Sequence, residues 1–233
     1  MNLAQSKLFA SFCLSIAFVV SFVPIASAQS DRALIRRVDD HYNHLRTLRS
    51  RYTERYTGMG IDRSESGTLT LKKPGLMRWS YDAPPGKLFV LDGKYAWFYT
   101  PDDAQISRAP AKQLDDLRSP LRLLLGHTQL EKELDQIKLG YSCDECMVDP
   151  QVPFHPSGFV ISGIPKGMGD RVRLLTLTIT PAGAIKQMMI EETDGANTVF
   201  TFTDMEENIP LPASDFIFTP PSGIPIVNAQ PPI

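Results

Sequence analysis

The sequence predicts a mainly β fold of the α+β class: one large, curved antiparallel sheet of about nine to eleven strands, its concave face covered by helices. Three observations predict it. Apolar residues alternate with period two over two long stretches, 64–99 and 158–203. Turn signals fall at hairpin spacing, at Asp92-Gly93, Pro181-Ala182-Gly183 and Asp194-Gly195. The element order is helix, strands, helices, strands, without the βαβ rhythm that a parallel sheet requires.

The 233 residues suit one domain. Residues 1–28 stand outside it. Lys7 is followed by an apolar run from Leu8 to Ile25, and Ala26-Ser27-Ala28 is a small-x-small cleavage site before Gln29. That pattern is a secretory signal peptide, with an uncleaved membrane anchor as the rival reading. A lipoprotein would need Cys where Gln29 stands, so the mature chain is expected to be soluble. The domain is expected to span 29–224, with a Pro-rich tail over 225–233.

The first element is a helix. Leu34, Val38, Tyr42, Leu45, Leu48 and Tyr52 recur at spacings of three and four, which makes one apolar stripe. It is expected from Asp31 to about Leu48, with a strand from about Arg51. Leu69 and Leu71 then share one face of a strand, and Met77, Trp79 and Tyr81 share one face of the next. Asp92-Gly93 joins two further strands, KLFVLD and KYAWFY. From Ala111 to Gln136 the pattern becomes helical. Pro120 suits a first turn, Leu121, Leu123, Leu124 and Leu125 fill it, and Gly126 can end it. A second short helix is expected over Leu130 to Ile137, then a loop from Cys143 to Pro156. Strands are expected over 158–164, 171–180, 184–192, 197–203 and 216–218. From Pro220 the chain reads as a Pro-rich tail, poorly ordered at its end.

The chemistry is mostly absent. A formal net charge of −2 offers no footprint for nucleic acid. There is no nucleophile elbow, HExxH, phosphate loop or GxGxxG. His41 and His44 lie three apart on the first helix, but such a pair is more often a packed or solvated helix edge than a metal site. Asp102-Asp103, Asp115-Asp116 and Glu206-Glu207 are adjacent, so each pair points apart. Cys143 and Cys146 form a lone CxxC with acidic flanks, which raise a thiolate pKa. A small structural disulfide in an oxidising compartment fits better than a thiol enzyme. What remains is apolar surface: Met77, Trp79, Tyr81, Phe89, Leu91, Tyr95, Trp97 and Tyr99. Periodicity alone leaves a solid core and the wall of a lipid cavity equally open.

Several pieces in order resemble the periplasmic outer-membrane lipoprotein carriers (LolA-like). They are LRTLRSRYTERY, GTLTLKKPGLMRWSY, PPGKLFVLDGKYAWFYTPDDAQI, SPLRLLLG and FIFTPPSGI. The resemblance spans about Ala33 to Ile224. It implies an open, incomplete antiparallel β-barrel with a helical lid over a hydrophobic cavity. It implies a periplasmic carrier without enzymatic activity or cofactor, and monomeric. Such a carrier takes acylated lipoproteins from an inner-membrane ABC-type exporter to an outer-membrane acceptor. Met77, Trp79, Tyr81, Phe89, Leu91 and Trp97 then become lipid contacts, and Leu121, Leu124 and Leu125 the inner face of the lid. Lys73 stands where the family usually has an Arg that latches the lid. Tyr52-Thr53-Glu54 replaces the usual Phe-x-Gln. The CDEC loop is not part of the pattern. The alternatives are a carrier or sensor of another lipid, such as a glycolipid or phospholipid, and a thiol enzyme using Cys143 and Cys146.

Overall fold

Twelve strands hydrogen-bond into one sheet in the computed structural model, which describes residues 26–101, 103–112, 124, 129–142 and 158–228. The helix α1 (Ala26–His44) is followed by β1 (Thr47–Gly58), β2 (Ile61–Lys72), β3 (Leu76–Ala83), β4 (Leu88–Asp92), β5 (Tyr95–Tyr99) and β6 (Ile106–Pro110). Then come a one-turn helix α2 (Leu130–Glu133), β7 (Leu134–Ser142), β8 (Gly158–Pro165), β9 (Val172–Ile179), β10 (Ile185–Glu192), β11 (Asn197–Glu207), a 3₁₀ turn (Ala213–Phe216) and β12 (Ile226–Asn228). The spatial order is β12-β6-β5-β4-β3-β2-β1-β11-β10-β9-β8-β7, so β12 and β7 remain as edges and the sheet is open. Every pair is antiparallel except β12 with β6.

Local chemistry explains the hairpins. Met59 and Gly60 both have positive φ, 50° and 78°, the mirror-image turn whose twist suits β1 and β2. At the β4–β5 turn Gly93 has φ 90°, and Asp92 Oδ1 accepts the N–H groups of Lys94 and Tyr95 at 2.8 and 2.7 Å.

Helix α1 packs its Leu34, Ile35, Val38 and Tyr42 stripe into the main core. Two hydrogen bonds fix it to the β9–β10 hairpin: Ile185 N–H donates to the Tyr42 hydroxyl at 3.0 Å, and Arg37 donates to Pro181 O at 2.7 Å. The helix ends at His44, earlier than expected, because the chain from Thr47 pairs with both β2 and β11. Leu48 and Tyr52 are buried all the same, but from a strand. His41 pairs with Glu207 at 3.0 Å, while His44 bonds Asp40 O of its own helix. The helix spans the expected cleavage point after Ala28.

Three further expectations are corrected. The second helix stops at Glu133, since Leu134 already pairs with Pro165 of β8. Residues 216–218 form no strand: the chain coils through Ala213–Phe216 and buries Phe216 instead. Ile226–Asn228, read as part of the Pro-rich tail, adds β12 alongside Ile106–Arg108. The strand β6 was also not expected.

Helix α2 follows Gln129, a residue that makes no side-chain cap. Its first donor is satisfied from outside: Leu130 N–H donates to Asp39 Oδ1 of α1 at 3.0 Å. Burial, with Glu133, Asp40 and Glu131 nearby, raises the Asp39 pKa from 3.8 to about 6. Because the folded value exceeds the unfolded one, this group favours folding below about pH 4, and that contribution is lost as pH rises through about 6. Asp39→Asn, neutral at every pH and still an acceptor, should raise Tm at pH 8 by about 2–4 °C, about 1 kcal/mol after solvent screening. Thermal melts at pH 4 should show no gain. An equal gain at both pH values would refute the assignment.

Candidate functional site: the concave face and its cleft

Register builds an apolar wall from residues far apart in sequence. One transverse row runs Leu48, Leu71, Met77, Leu91, Ala96 across β1 to β5. The next runs Leu69, Trp79, Phe89, Phe98 across β2 to β5. Both lie in the cluster covered by α1. Met77, Trp79 and Leu91 are fully buried, whereas Tyr81, Phe89 and Phe98 are only partly covered. Trp79 sits among aromatic rings, edge-on to Tyr52 at 4.6 Å and to Phe200 at 5.7 Å, and its indole N–H donates to Met77 Sδ at 3.0 Å. Leu124, expected on the inner face of the lid, is buried in the same cluster. Leu121, Leu125, Cys143 and Cys146 lie outside the described residues.

Trp97 does not belong to this wall. The pairing of Leu91 with Ala96 fixes the face of β5, so Phe98 joins Phe89 while Trp97 joins Val90 on the convex side. There Trp97, Val90 and Ile106 form a separate cluster covered by Phe218 and Ile224. The Trp97 indole donates to Asp92 Oδ2 at 2.7 Å. Phe98 is the wall residue that the sequence reading missed. Its signal was the alternation itself, counted from the Asp92-Gly93 turn.

At the C-terminal end of α1 the wall meets, at Leu91, a cleft lined by polar and apolar residues alike, of about 1720 Å³. That exceeds the roughly 300–1,000 Å³ of an ordinary small-molecule pocket. Leu91 and Leu45 line it, which joins the cleft to the apolar rows. Ala111, Lys112 and Gln129 also line it.

Lys73 stands at this opening. Its Nζ donates to Tyr42 O, and its backbone N–H donates to Arg46 O at 2.8 Å. Tyr42 is in the last turn of α1, where carbonyls lack helical partners and a cation is favoured. The residue is half-buried, and desolvation lowers its pKa. Among the described residues, then, Lys73 ties the β2–β3 turn to α1.

The family profile described as "Outer membrane lipoprotein carrier protein LolA" matches residues 52–219. The outer-membrane lipoprotein carrier protein of Nitrosospira multiformis is 27% identical over 226 residues, 95% of this chain and 99% of its own. That of Nitrosomonas europaea is 29% identical over 170 residues, 72% of this chain and 75% of its own. Among solved structures, an uncharacterized conserved protein from Thermus thermophilus superposes with a TM-score of 0.53. It has 12% identity and covers 86% of this chain and 100% of its own, a likeness of fold alone.

Proposed function

Because the chain belongs to the outer-membrane lipoprotein carrier family, we propose that it binds the acyl chains of lipoproteins leaving the inner membrane and delivers them through the periplasm to the outer membrane. The observation that carries this reading is the pair of apolar rows under α1, which a 1720 Å³ cleft meets at Leu91. A lipid chain of about sixteen carbons loses on the order of 12 kcal/mol of burial in water, so it needs such a shelter in transit. The function is carriage rather than catalysis. Export by a signal peptide cleaved after Ala28 places the protein in the periplasm. Its partners in this reading are an ABC-type exporter, which spends the ATP, and an outer-membrane acceptor.

Met77, Trp79, Tyr81, Phe89, Leu91 and Phe98 form the wall, with Leu121, Leu124 and Leu125 as the inner face of a lid. Lys73 is the latch, and Cys143 and Cys146 are a structural disulfide. Release requires a bound state that can open, so the partly covered side chains and a movable cover serve better than a tight pocket.

Native mass spectrometry of the protein purified from a periplasmic extract without detergent tests this. A bound acylated lipoprotein is the expected result. Bound phospholipid or glycolipid instead would keep the cavity and replace the cargo. An empty protein that also rejects added lipopeptide would sink the carrier reading.

A further inference from the structure

The strand β1 carries Glu54 into the concave face. Register sets it directly opposite Glu65 of β2 and beside Phe200 of β11. Like charges facing each other across a sheet destabilise it, so the pair needs a reason. Glu65 is 5% exposed and is neutralised, by Lys87 Nζ at 2.6 Å and Arg63 Nε at 3.4 Å. Lys87 also lies 4.4 Å from the centre of the Tyr81 ring. The Glu54 side chain makes no close contact of this kind: among the described residues it forms no hydrogen bond or ion pair, and Lys87 and Arg63 attract it only from a distance. Burial, and then the charge of Glu65, raise its pKa above the ordinary carboxylate value, and Lys87 and Arg63 offset only part of that rise.

Two residues earlier on the same face, Tyr52 is 1% exposed; the Tyr81 hydroxyl lies near its own, but no group among the described residues stands at full hydrogen-bond distance and angle from it. Burial, followed by the neighbouring Tyr81 hydroxyl and then Glu54 and Glu65, holds that hydroxyl protonated. An orphaned buried hydroxyl costs about 1–3 kcal/mol. Two poorly satisfied polar groups, two residues apart, thus share one face of β1, with the Tyr52 ring against Trp79.

We propose that Glu54 and the Tyr52 hydroxyl form a polar seat in the concave face for the hydrogen-bond-donating head of a bound lipid, an amide N–H or a hydroxyl. The Glu54 carboxyl accepts the donor, and the Tyr52 hydroxyl completes its own hydrogen bond to the same head group. The seat rests on the carrier reading and refines it, since it sets the depth and orientation at which acyl chains lie against Trp79 and Phe89. It also selects against lipids that lack a donor.

The test compares two probes on the purified protein. One is a triacylated cysteine lipopeptide with a neutral peptide; the other is a fluorescent fatty-acid methyl ester, which has no donor. Glu54→Leu should weaken the lipopeptide about ten-fold and change the methyl ester less than about two-fold. Tyr52→Phe, which keeps every ring contact, should weaken the lipopeptide about three-fold without loss of folding. A neutral glycolipid without an amide separates the sources: sensitivity to Glu54→Leu assigns hydroxyl donors to the seat, and insensitivity restricts it to the amide. Equal effects on lipopeptide and methyl ester, or no effect on either, would overturn the seat while leaving the carrier reading intact. Wild-type protein that binds neither probe would overturn the carrier reading itself.

Discussion

Trp79→Glu should yield no cooperatively folded protein, whereas Phe89→Glu should fold and fail to bind acyl chains. The two residues are cross-strand neighbours in one row, yet their surroundings differ. Trp79 is 3% exposed and enclosed by Tyr52, Phe200, Phe202 and Met77. Losing such an indole costs about 3–5 kcal/mol, and an unpaired carboxylate in its place adds a desolvation penalty of several more. That sum approaches the whole stability of an ordinary domain, about 5–15 kcal/mol. Phe89 is only partly covered, with Phe98 at 4.8 Å between ring centres. A glutamate there can reach solvent, so Tm should fall by a few degrees only. Affinity for an acyl probe should fall at least about ten-fold, because the charge stands where a chain would lie. Circular dichroism melts and probe titration check both. Folded Trp79→Glu protein would mean that the wall is loosely packed throughout. Unchanged probe binding by Phe89→Glu would remove this face as the cargo site.

Burial divides the residues that periodicity grouped together. Met77, Trp79 and Leu91 are core, and Tyr81, Phe89 and Phe98 are the surface that core presents. A pattern of alternating side chains records which face a residue takes, not how deeply that face is covered. Depth depends on α1 and on partners many strands away.

The same limit explains the other differences. Leu48 reads as the end of the helix, and Tyr52 extends the same stripe, because a spacing of four satisfies both a helical stripe and a pleated strand. Only the ladder to β2 and β11 decides between them. Tyr95, Trp97 and Tyr99 look like wall because they are the larger members of their strand. Their cover is Phe218, 5.6 Å from Trp97 and 5.7 Å from Tyr99, supplied by a segment more than a hundred residues later. The strand β12 joins β6 in parallel without any local turn to announce it. By contrast, the Asp92-Gly93 hairpin and the α1 stripe from Leu34 to Tyr42 were legible, because their signals are local. Glu54 was visible as a misplaced charge, but that it faces Glu65 follows only from the register of β1 with β2.

Lys73→Met should speed the transfer of a bound acyl probe to lipid vesicles about ten-fold, and Lys73→Arg should restore the wild-type rate. Met keeps the aliphatic stem and removes only the ammonium that donates to Tyr42 O. A charge-assisted hydrogen bond contributes about 1.5–3 kcal/mol, and solvent screening at this half-exposed position reduces it to about 1.4 kcal/mol, a ten-fold change in an equilibrium. Where that free energy acts is decided by geometry. The backbone of Lys73 already holds Arg46 O at 2.8 Å, so the β2–β3 turn stays in place when Nζ is lost. What loosens is the last turn of α1, which forms one side of the cleft mouth through Asn43, His44 and Leu45. A lysine offers one compact donor group to one carbonyl, and an arginine offers a planar fork that reaches the same carbonyl with donors to spare. Restoration by arginine therefore separates a latch, which needs only a donor at that point, from a packing role specific to the lysine stem. A variant that melts earlier but transfers at the wild-type rate would make Lys73 a structural peg of α1, and the control of release would have to lie elsewhere on the cleft.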